Sequence, residues 1–413
     1  MSGTQQSKAP GTTPPLPLDG VRVMDFSRLL PGPWATQMLS ELGADVVKIE
    51  QPGIGDPSRQ NHPKFHEESV YFHLVNGNKR SITLNLAKPE AAPVIRRLLA
   101  RADVIIESYR PGVARKLGID YASVAAYNPR VIYGSVTGFG QTGPMAHVAG
   151  HDLVIQGMTG HMARAMTPGT PPPVPGFQAG DFAGALMTVI GVQAALTQRE
   201  KTGVGNELDI SMFEALLHMC PIPLTSAIAR LAGHSGEPAQ EVFGRNPRYA
   251  TYLTQDQKPV AVSLLETKIW SDFCVNIGRP DLIAADETPA DRLTAHGERA
   301  PAYHAALARY CAGHTWAQIQ AHMIKTGLAV CTIASPDEAL AQAHVIERGM
   351  LEYIDHPREG RIPHLVNPLA RAGLARRTHR PAPMLGEHTD DVLGEAGYSA
   401  AEITALRAAR IFE

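Results

Sequence analysis

Cysteine is scarce in this chain. Its four cysteines, Cys220, Cys274, Cys311 and Cys331, are scattered and form no C-x-x-C pair. That pattern excludes a zinc knuckle and a disulfide framework, and it fits a reducing compartment. Long apolar runs are also lacking. None approaches the roughly 18 residues that a membrane helix needs, so no span is expected. The N-terminus has no basic-then-apolar signal pattern, which leaves a cytoplasmic protein as the expectation. Charge of one sign is lacking too: a formal net charge of −2 gives no general attraction to nucleic acid.

What remains is the composition of an enzyme-sized globular protein. The 413 residues suffice for two or three domains with ample core. Met1–Pro17 is rich in Ser, Thr, Gln, Gly and Pro and reads as a disordered tail, because it cannot bury enough apolar surface to offset its ordering entropy. Strands are then expected at Val21–Phe26, Asp45–Glu50, Ser81–Leu86, Asp103–Glu107, Val131–Val136 and Glu207–Ser211. Helical patterns fall between them at Trp34–Leu42, Lys88–Arg101 and Asp181 to about Arg199. Strands alternating with helices at this spacing predict an α/β fold with a mostly parallel sheet covered on both faces. After Pro221 and Pro223 the character changes. Tyr249–Leu264 reads as two strands around a turn, and Lys268–Ile277 and His304–Thr326 read as helices. A smaller α+β domain is therefore placed at 241–335, between linkers at 216–240 and 336–365. A C-terminal helix is expected at Ala400–Arg410.

Candidate chemistry concentrates between Gly138 and Asp181. Asp181 opens a long apolar helix, and two roles fit it. It is a preferred N-cap residue. A carboxylate held at a helix N-terminus can also act as base or nucleophile, and Gly180, Ala183 and Gly184 would let a substrate approach. His151, between Gly150 and Asp152 at another helix start, is the second candidate. Asp152 could cap that helix. Gly138–Gly143 spells G-x-G-x-x-G, but Pro144 follows at once and no acidic residue lies about 20 positions on, so a dinucleotide site is rejected. There is no G-x-S-x-G. His62 and His66 lie four apart, but Pro63 breaks the helix a metal site would need, and no metal is expected. Lys79, Arg80, Arg110, Arg115 and Lys116 lie near strand ends, where they suit phosphates or are ordinary solvated surface.

Several runs together resemble the class III CoA-transferases (CaiB/BaiF-like), the group that also contains the α-methylacyl-CoA racemases. They include Val23-Met24-Asp25-Phe26-Ser27-Arg28, Pro31-Gly32-Pro33, Asn78-Lys79-Arg80-Ser81-Ile82, Arg110-Pro111-Gly112 and Gly138–Pro144. The resemblance extends from Leu18 to the C-terminus. It implies a Rossmann-like large domain built from both chain ends (18–215 and 366–413), a small inserted domain, and an interlocked homodimer. It also implies that coenzyme A enters as part of an acyl-CoA substrate, with no permanently bound cofactor. The family's carboxylate aligns with Asp181. In transferases it forms an acyl anhydride, and CoA then passes to an acceptor carboxylic acid. In racemases it pairs with a His that aligns with His151, and a further carboxylate aligns with Glu266. With all three present, the resemblance leans to a racemase that epimerises C2 of a 2-methylacyl-CoA by two-base proton transfer, with CoA transfer as the alternative. CoA contacts are implied at Leu30, Pro31, Leu84, Ser108, Tyr109, Arg110 and Lys116. Gln51 and Ala87 depart from the family at positions where relatives carry cations for CoA phosphates, and Gly244-Arg245-Asn246-Pro247 replaces a longer Gly-rich run.

Overall fold

The computed structural model describes residues 15–166, 169–237, 239, 244–375 and 377–413. Most of the N-terminal tail, and the first positions of the expected small domain at 241–243, lie outside the described residues. The chain forms two compact units, Met1–Ile155 with Gly176–Leu216 and Ile346–Glu413, and Gln156–Pro175 with Leu217–Val345.

The first unit is built on six parallel strands: β1 (Arg22–Asp25), β2 (Asp45–Glu50), β3 (Arg80–Thr83), β4 (Val104–Glu107), β5 (Ile132–Thr137) and β6 (Asn206–Ser211). Their order is β3-β2-β1-β4-β5-β6, so the winding direction reverses between β1 and β4. The apolar runs in these strands follow from burial on both faces. Successive side chains go to opposite cores. Met24, Val47 and Ile105 join one, and Val23, Val46 and Val104 join the other. The second core is closed by α1 (Pro31–Glu41) and by the long helix Ala179–Thr202. The first is closed by the helix Ala91–Leu99 and by Val392, Leu393, Ile403 and Ile411 from the chain's end. Both chain ends thus build one sheet unit. Ala179–Thr202 is long and apolar enough by composition to span a bilayer. Here it covers the sheet, and Ala185, Val189 and Val192 are in the core.

Within the second unit, β7 (Tyr249–Leu253), β8 (Pro259–Ser263) and β9 (Val330–Thr332) form an antiparallel sheet. Trp270, Phe273, Tyr303 and Leu307 pack in its core. The single helix expected at His304–Thr326 is two helices, Ala300–Ala312 and Trp316–Thr326. Gly313 ends the first, and Thr315 with Gln318 forms a capping box that starts the second. Where a linker was expected at 216–240 there is a helix, Pro221–Leu231, and its prolines occupy the first turn rather than breaking the chain. Where a linker was expected at 336–365, the first unit has an antiparallel hairpin, β10 (Leu351–His356) and β11 (Gly360–Leu365). Its inward residues are His356, Ile362 and His364, so histidines disguise the alternation.

Candidate active site

A cleft of about 850 Å³ opens at the carboxyl ends of β1, β4 and β5. This is the switch point of the sheet, where doubly wound folds bind ligands. Leu30 reaches it from the end of β1, Tyr109 from β4 and Gly138 from β5. His151 and Asp181 both line it, although thirty positions separate them in sequence.

Asp181 is not a cap. Its helix begins at Ala179 with Gln178 at the N-cap position. The capping is done by Asp152, whose Oδ1 accepts from the N–H of Gly180 at 2.8 Å and of Asp181 at 3.3 Å. The sequence had given Asp152 to its own helix, Asp152–Met158, but the backbone carbonyl of His151 starts that one, accepting from Val154 at 2.9 Å and Ile155 at 3.2 Å. Glycine at 180 is required by this crossing, because a Cβ there would stand 2.8 Å from Ile155 and 3.1 Å from the Asp152 carboxylate. The Asp181 carboxylate itself accepts no hydrogen bond among the described residues. Burial, and then the negative charge of Asp152, push its carboxyl up to about 7.

His151 is carried in by a backbone crossing. A Cβ at Gly138 would lie 2.5 Å from the Cα of Gly150, and the reverse holds equally. Two glycines at this contact bring the segment preceding His151 onto the end of β5. The glycine pattern rejected above as a dinucleotide motif thus has a different use. Beyond it, Asp209 accepts from the N–H of Gln141 at 3.0 Å and steadies the loop.

Of the expected CoA contacts, Leu30, Pro31, Ser108, Tyr109 and Arg110 line this cleft. Leu84 lines a neighbouring cavity of about 240 Å³, which shares Arg28 and Tyr109 with the first. Gln51 and Ala87 line that second cavity as well, while Lys88 Nζ is turned to the carbonyls of Ala409 and Arg410 at 3.0 and 2.9 Å. Lys116 is exposed on a one-turn helix and lines neither cavity. Glu266 belongs to the second unit, at the N-cap of Thr267–Asn276, where it lies 3.7 Å from Arg292. Sequence reasoning missed Tyr71 and Gln178 and weighed His62 only as a metal ligand; all three line the cleft. Tyr71 sits in the helix Val70–Asn76, and an aromatic in an apolar helix reads as core. Burial and then the charges of Asp181 and Asp56 hold its phenol above the ordinary range, so it keeps its proton.

A buried charge network lies beneath the cleft floor. Asp25, at the end of β1, accepts from Thr36 Oγ1 at 2.7 Å, Lys79 Nζ at 3.0 Å and the N–H of Ser27 at 2.9 Å. Lys48 pairs with Asp56 at 2.9 Å and donates to the carbonyl of Ser27 at 2.8 Å. Asp56 also accepts from the N–H of Leu29 at 3.2 Å. Leu29 has a positive φ of 66°, so the network fixes the turn that presents Arg28–Pro31 to the cleft.

Among the described residues, two clusters bring His and Glu ligand atoms together, Glu41 with His364 and His379, and Glu68 with His73 and His356. Neither suits a metal. The rings of His364 and His379 stack 3.2 Å apart and nearly parallel, so no ion can lie in both ring planes. In the other cluster, Nδ1 of His356 accepts from the N–H groups of Arg358 and Glu359 at 3.2 and 3.0 Å. In the neutral ring that leaves the proton on Nε2, the atom facing Glu68.

Fold and site together define a doubly wound α/β protein whose switch-point cleft holds a half-buried carboxylate that accepts no hydrogen bond among the described residues. The profile of CoA-transferase family III matches residues 18–389, and the chain belongs to that family. It is 33% identical to acetyl-CoA:oxalate CoA-transferase of Acetobacter aceti over 377 residues, covering 90% of this chain and 93% of that protein. It is 32% identical to succinate–glutarate CoA-transferase of Agrobacterium fabrum over 394 residues, 92% of this chain and 95% of that one. A solved CaiB/BaiF family protein from Brucella suis superposes with a TM-score of 0.77 at 31% identity, covering 93% of this chain and all of that one.

Proposed function

We propose that the protein moves coenzyme A from an acyl-CoA to an acceptor carboxylic acid, with Asp181 as nucleophile. The observation that carries this is the unbonded Asp181 carboxylate on an open thioester-sized cleft. An oxygen of Asp181 attacks the thioester carbonyl carbon, the C–S bond breaks, and CoA leaves as thiolate. The thiolate then attacks the aspartyl carbonyl of the resulting anhydride and releases the first acid as its carboxylate. The acceptor carboxylate attacks the aspartyl thioester and expels CoA as thiolate, leaving a second anhydride; the thiolate then attacks the acceptor's acyl carbon, the anhydride C–O bond breaks, and the Asp181 carboxylate is restored. CoA therefore enters only as part of the substrate. Arg28 and Arg110 line the cleft and suit anionic groups. The relatives named for oxalate, succinate and glutarate support transfer over the racemase reading. Hydroxylamine added during turnover should convert Asp181 to the hydroxamate, read by peptide mass spectrometry. Transfer that proceeds with Asp181 unlabelled at every hydroxylamine concentration would remove it as the nucleophile.

Epimerisation at C2 stays as a second reading, because His151 and Asp181 line one cleft. Deuterium from the solvent entering C2 without an acceptor acid would favour it, with Glu266 as the further carboxylate to test.

The Asp181 carboxyl near 7 sets the pH dependence. A raised pKa leaves the nucleophile protonated below that value, so kcat/KM should fall about tenfold for each pH unit below 7. Asp152→Asn keeps an oxygen for the N–H of Gly180 and removes the repelling charge, so this acid limb should move to lower pH. A pH–rate profile of both proteins checks it.

The assembly is proposed to be a homodimer. Helix Pro221–Leu231 is apolar yet has no buried residue, with Ile228 57% and Leu231 88% exposed. Apolar faces of this kind mark interfaces. Light scattering should give twice the 44.4 kDa chain mass.

A further inference from the structure

One part of the cleft lining comes from the two ends of a single segment, 61–71. Asn61 and His62 at one end and Tyr71 at the other line the cleft. Between them the chain folds back on itself. The N–H of Phe65 donates to the carbonyl of Glu68 at 2.9 Å, and that of Val70 to the carbonyl of Pro63 at 3.1 Å. The tip of this loop is held from the far end of the sequence. Glu359, in the turn between β10 and β11, is only 5% exposed. Its carboxylate accepts from the N–H groups of Glu67 and Glu68, each at 3.1 Å, and from that of His66. Three backbone donors converging on one carboxylate form a rigid anchor, since charge-assisted hydrogen bonds are the strong ones.

A second hold acts on the helix that follows. Glu68 pairs with Arg358 of the same turn, and its Oε2 lies 2.8 Å from Nε2 of His73. His73 is two positions past Tyr71 in Val70–Asn76, and Ser69 caps that helix by accepting from the N–H of Phe72 at 3.2 Å. His356 completes the contact, its ring 4.9 Å from that of His73. The hairpin turn thus fixes both the loop tip and the helix that carries Tyr71.

We propose that Glu359 is a positioning residue for the Asp181 cleft, gripping the tip of segment 61–71 so that Asn61, His62 and Tyr71 stand against the bound acyl-CoA. The proposal rests on the thioester-cleft reading above. It also has a consequence at Asp181 that does not depend on turnover. The cleft that holds Asp181 is also lined by Arg28, His62, Tyr71, Tyr109, Arg110, His151 and Asp152; Asp152 adds to the effect of burial on the Asp181 carboxyl, and Tyr71 is near enough to feel the Asp181 charge. If segment 61–71 loosens, water reaches the carboxyl and its ionised form is easier to reach.

The test uses full-length wild type, Glu359→Gln and Glu359→Ala. Glutamine keeps one acceptor oxygen but turns an amide toward an N–H, so it loses part of the anchor at nearly constant shape. Expected are an acyl-CoA KM raised about tenfold in Glu359→Gln and more in Glu359→Ala, with kcat changed less than about threefold. The second readout is modification of Asp181 by a water-soluble carbodiimide across pH, followed by peptide mass spectrometry. This reagent acts on the protonated carboxyl. The wild-type midpoint should lie near 7, and the Glu359→Gln midpoint about one pH unit lower. A lowered melting temperature with unchanged KM and unchanged midpoint would make Glu359 merely structural and overturn the proposal. Should Glu359→Ala fail to fold, Glu359→Gln decides. Should the wild type transfer no CoA, the functional reading falls, and the carbodiimide midpoint still decides on Glu359.

Discussion

Replacing Asp181 by alanine or asparagine is expected to lower CoA transfer by about 10³-fold or more, with the fold intact. The magnitude follows from its role. Without the carboxylate no covalent intermediate forms, and direct attack of one carboxylate on another acid's thioester lacks the positioning of an enzyme-bound nucleophile. Stability should move the other way. Folding raises the Asp181 carboxyl from its ordinary value to about 7, so the native state disfavours its ionised form. That contribution is favourable at low pH and is lost as pH rises through 7. Asp181→Asn removes the buried charge, so at pH 8 its melting temperature should equal or exceed that of the wild type. Thermal unfolding at pH 8 beside initial rates with an acyl-CoA and an acceptor acid is the measurement. An inactive variant that melts higher is not inactive through unfolding. A variant retaining more than a tenth of the wild-type rate would remove Asp181 from the chemistry.

The same residue shows how far the sequence could be followed. The sheet was legible because strands buried on both faces carry apolar runs, as in Val104–Glu107, and Asp45–Glu50 has the expected bounds although Asp45, Lys48 and Glu50 interrupt its apolar residues. The switch point was not, because strand order depends on contacts between residues far apart in the chain. Asp181 stood out by its place at the start of an apolar helix, yet the capping role that competed with function belonged to Asp152, 29 positions earlier. No local pattern could tell these carboxylates apart, since both precede helical runs and only the crossing at Gly180 decides which caps which. Tyr71 was silent for a related reason: its neighbours Phe72 and Val75 are core residues, and their periodicity absorbs it. Hairpin β10–β11 was hidden by polar residues on its inward face. Those histidines are buried against Glu41 and Glu68, partners more than 280 positions away. The resemblance leaned to racemase because His151, Asp181 and Glu266 are all present. The Acetobacter aceti and Agrobacterium fabrum relatives, both named CoA-transferases, carry the family identity but favour transfer.

Asp25→Ala is expected to destabilise the protein by about 3–5 kcal/mol, because it leaves buried positive charge uncompensated. Asp25 is fully buried; burial is the largest single influence and raises its carboxyl, but Lys79, Lys48 and the hydroxyls of Ser27 and Thr36 together outweigh it and hold the carboxyl well below the ordinary range. It is one acid between two lysines. Lys48 has a second acid in Asp56, at 2.9 Å. Among the described residues, Lys79 would keep two neutral hydrogen-bond partners, the carbonyl of Pro33 at 2.9 Å and the side chain of Asn76 at 2.8 Å, with the charge of Asp56 as the remaining favourable influence. Burial already brings Lys79 down to about 8. Loss of Asp25 lowers it further, so Lys79 can shed its proton near neutral pH. The sign follows. A base whose folded pKa is depressed contributes its cost below that pKa and regains stability as pH rises through it. The damage from Asp25→Ala should therefore be greater at pH 6 than at pH 9. Urea unfolding of both proteins at the two pH values measures it, and equal losses at both would contradict the role given to Lys79. Lys79→Met, of similar length and without charge, should cost less than Asp25→Ala, since Asp25 would keep Lys48 at 4.0 Å, Thr36 and Ser27. The effect reaches the cleft because the Ser27 carbonyl that Lys48 holds directly precedes Arg28. Variants that survive folding should show a raised acyl-CoA KM, as the turn presenting Leu30 and Pro31 loses its anchor.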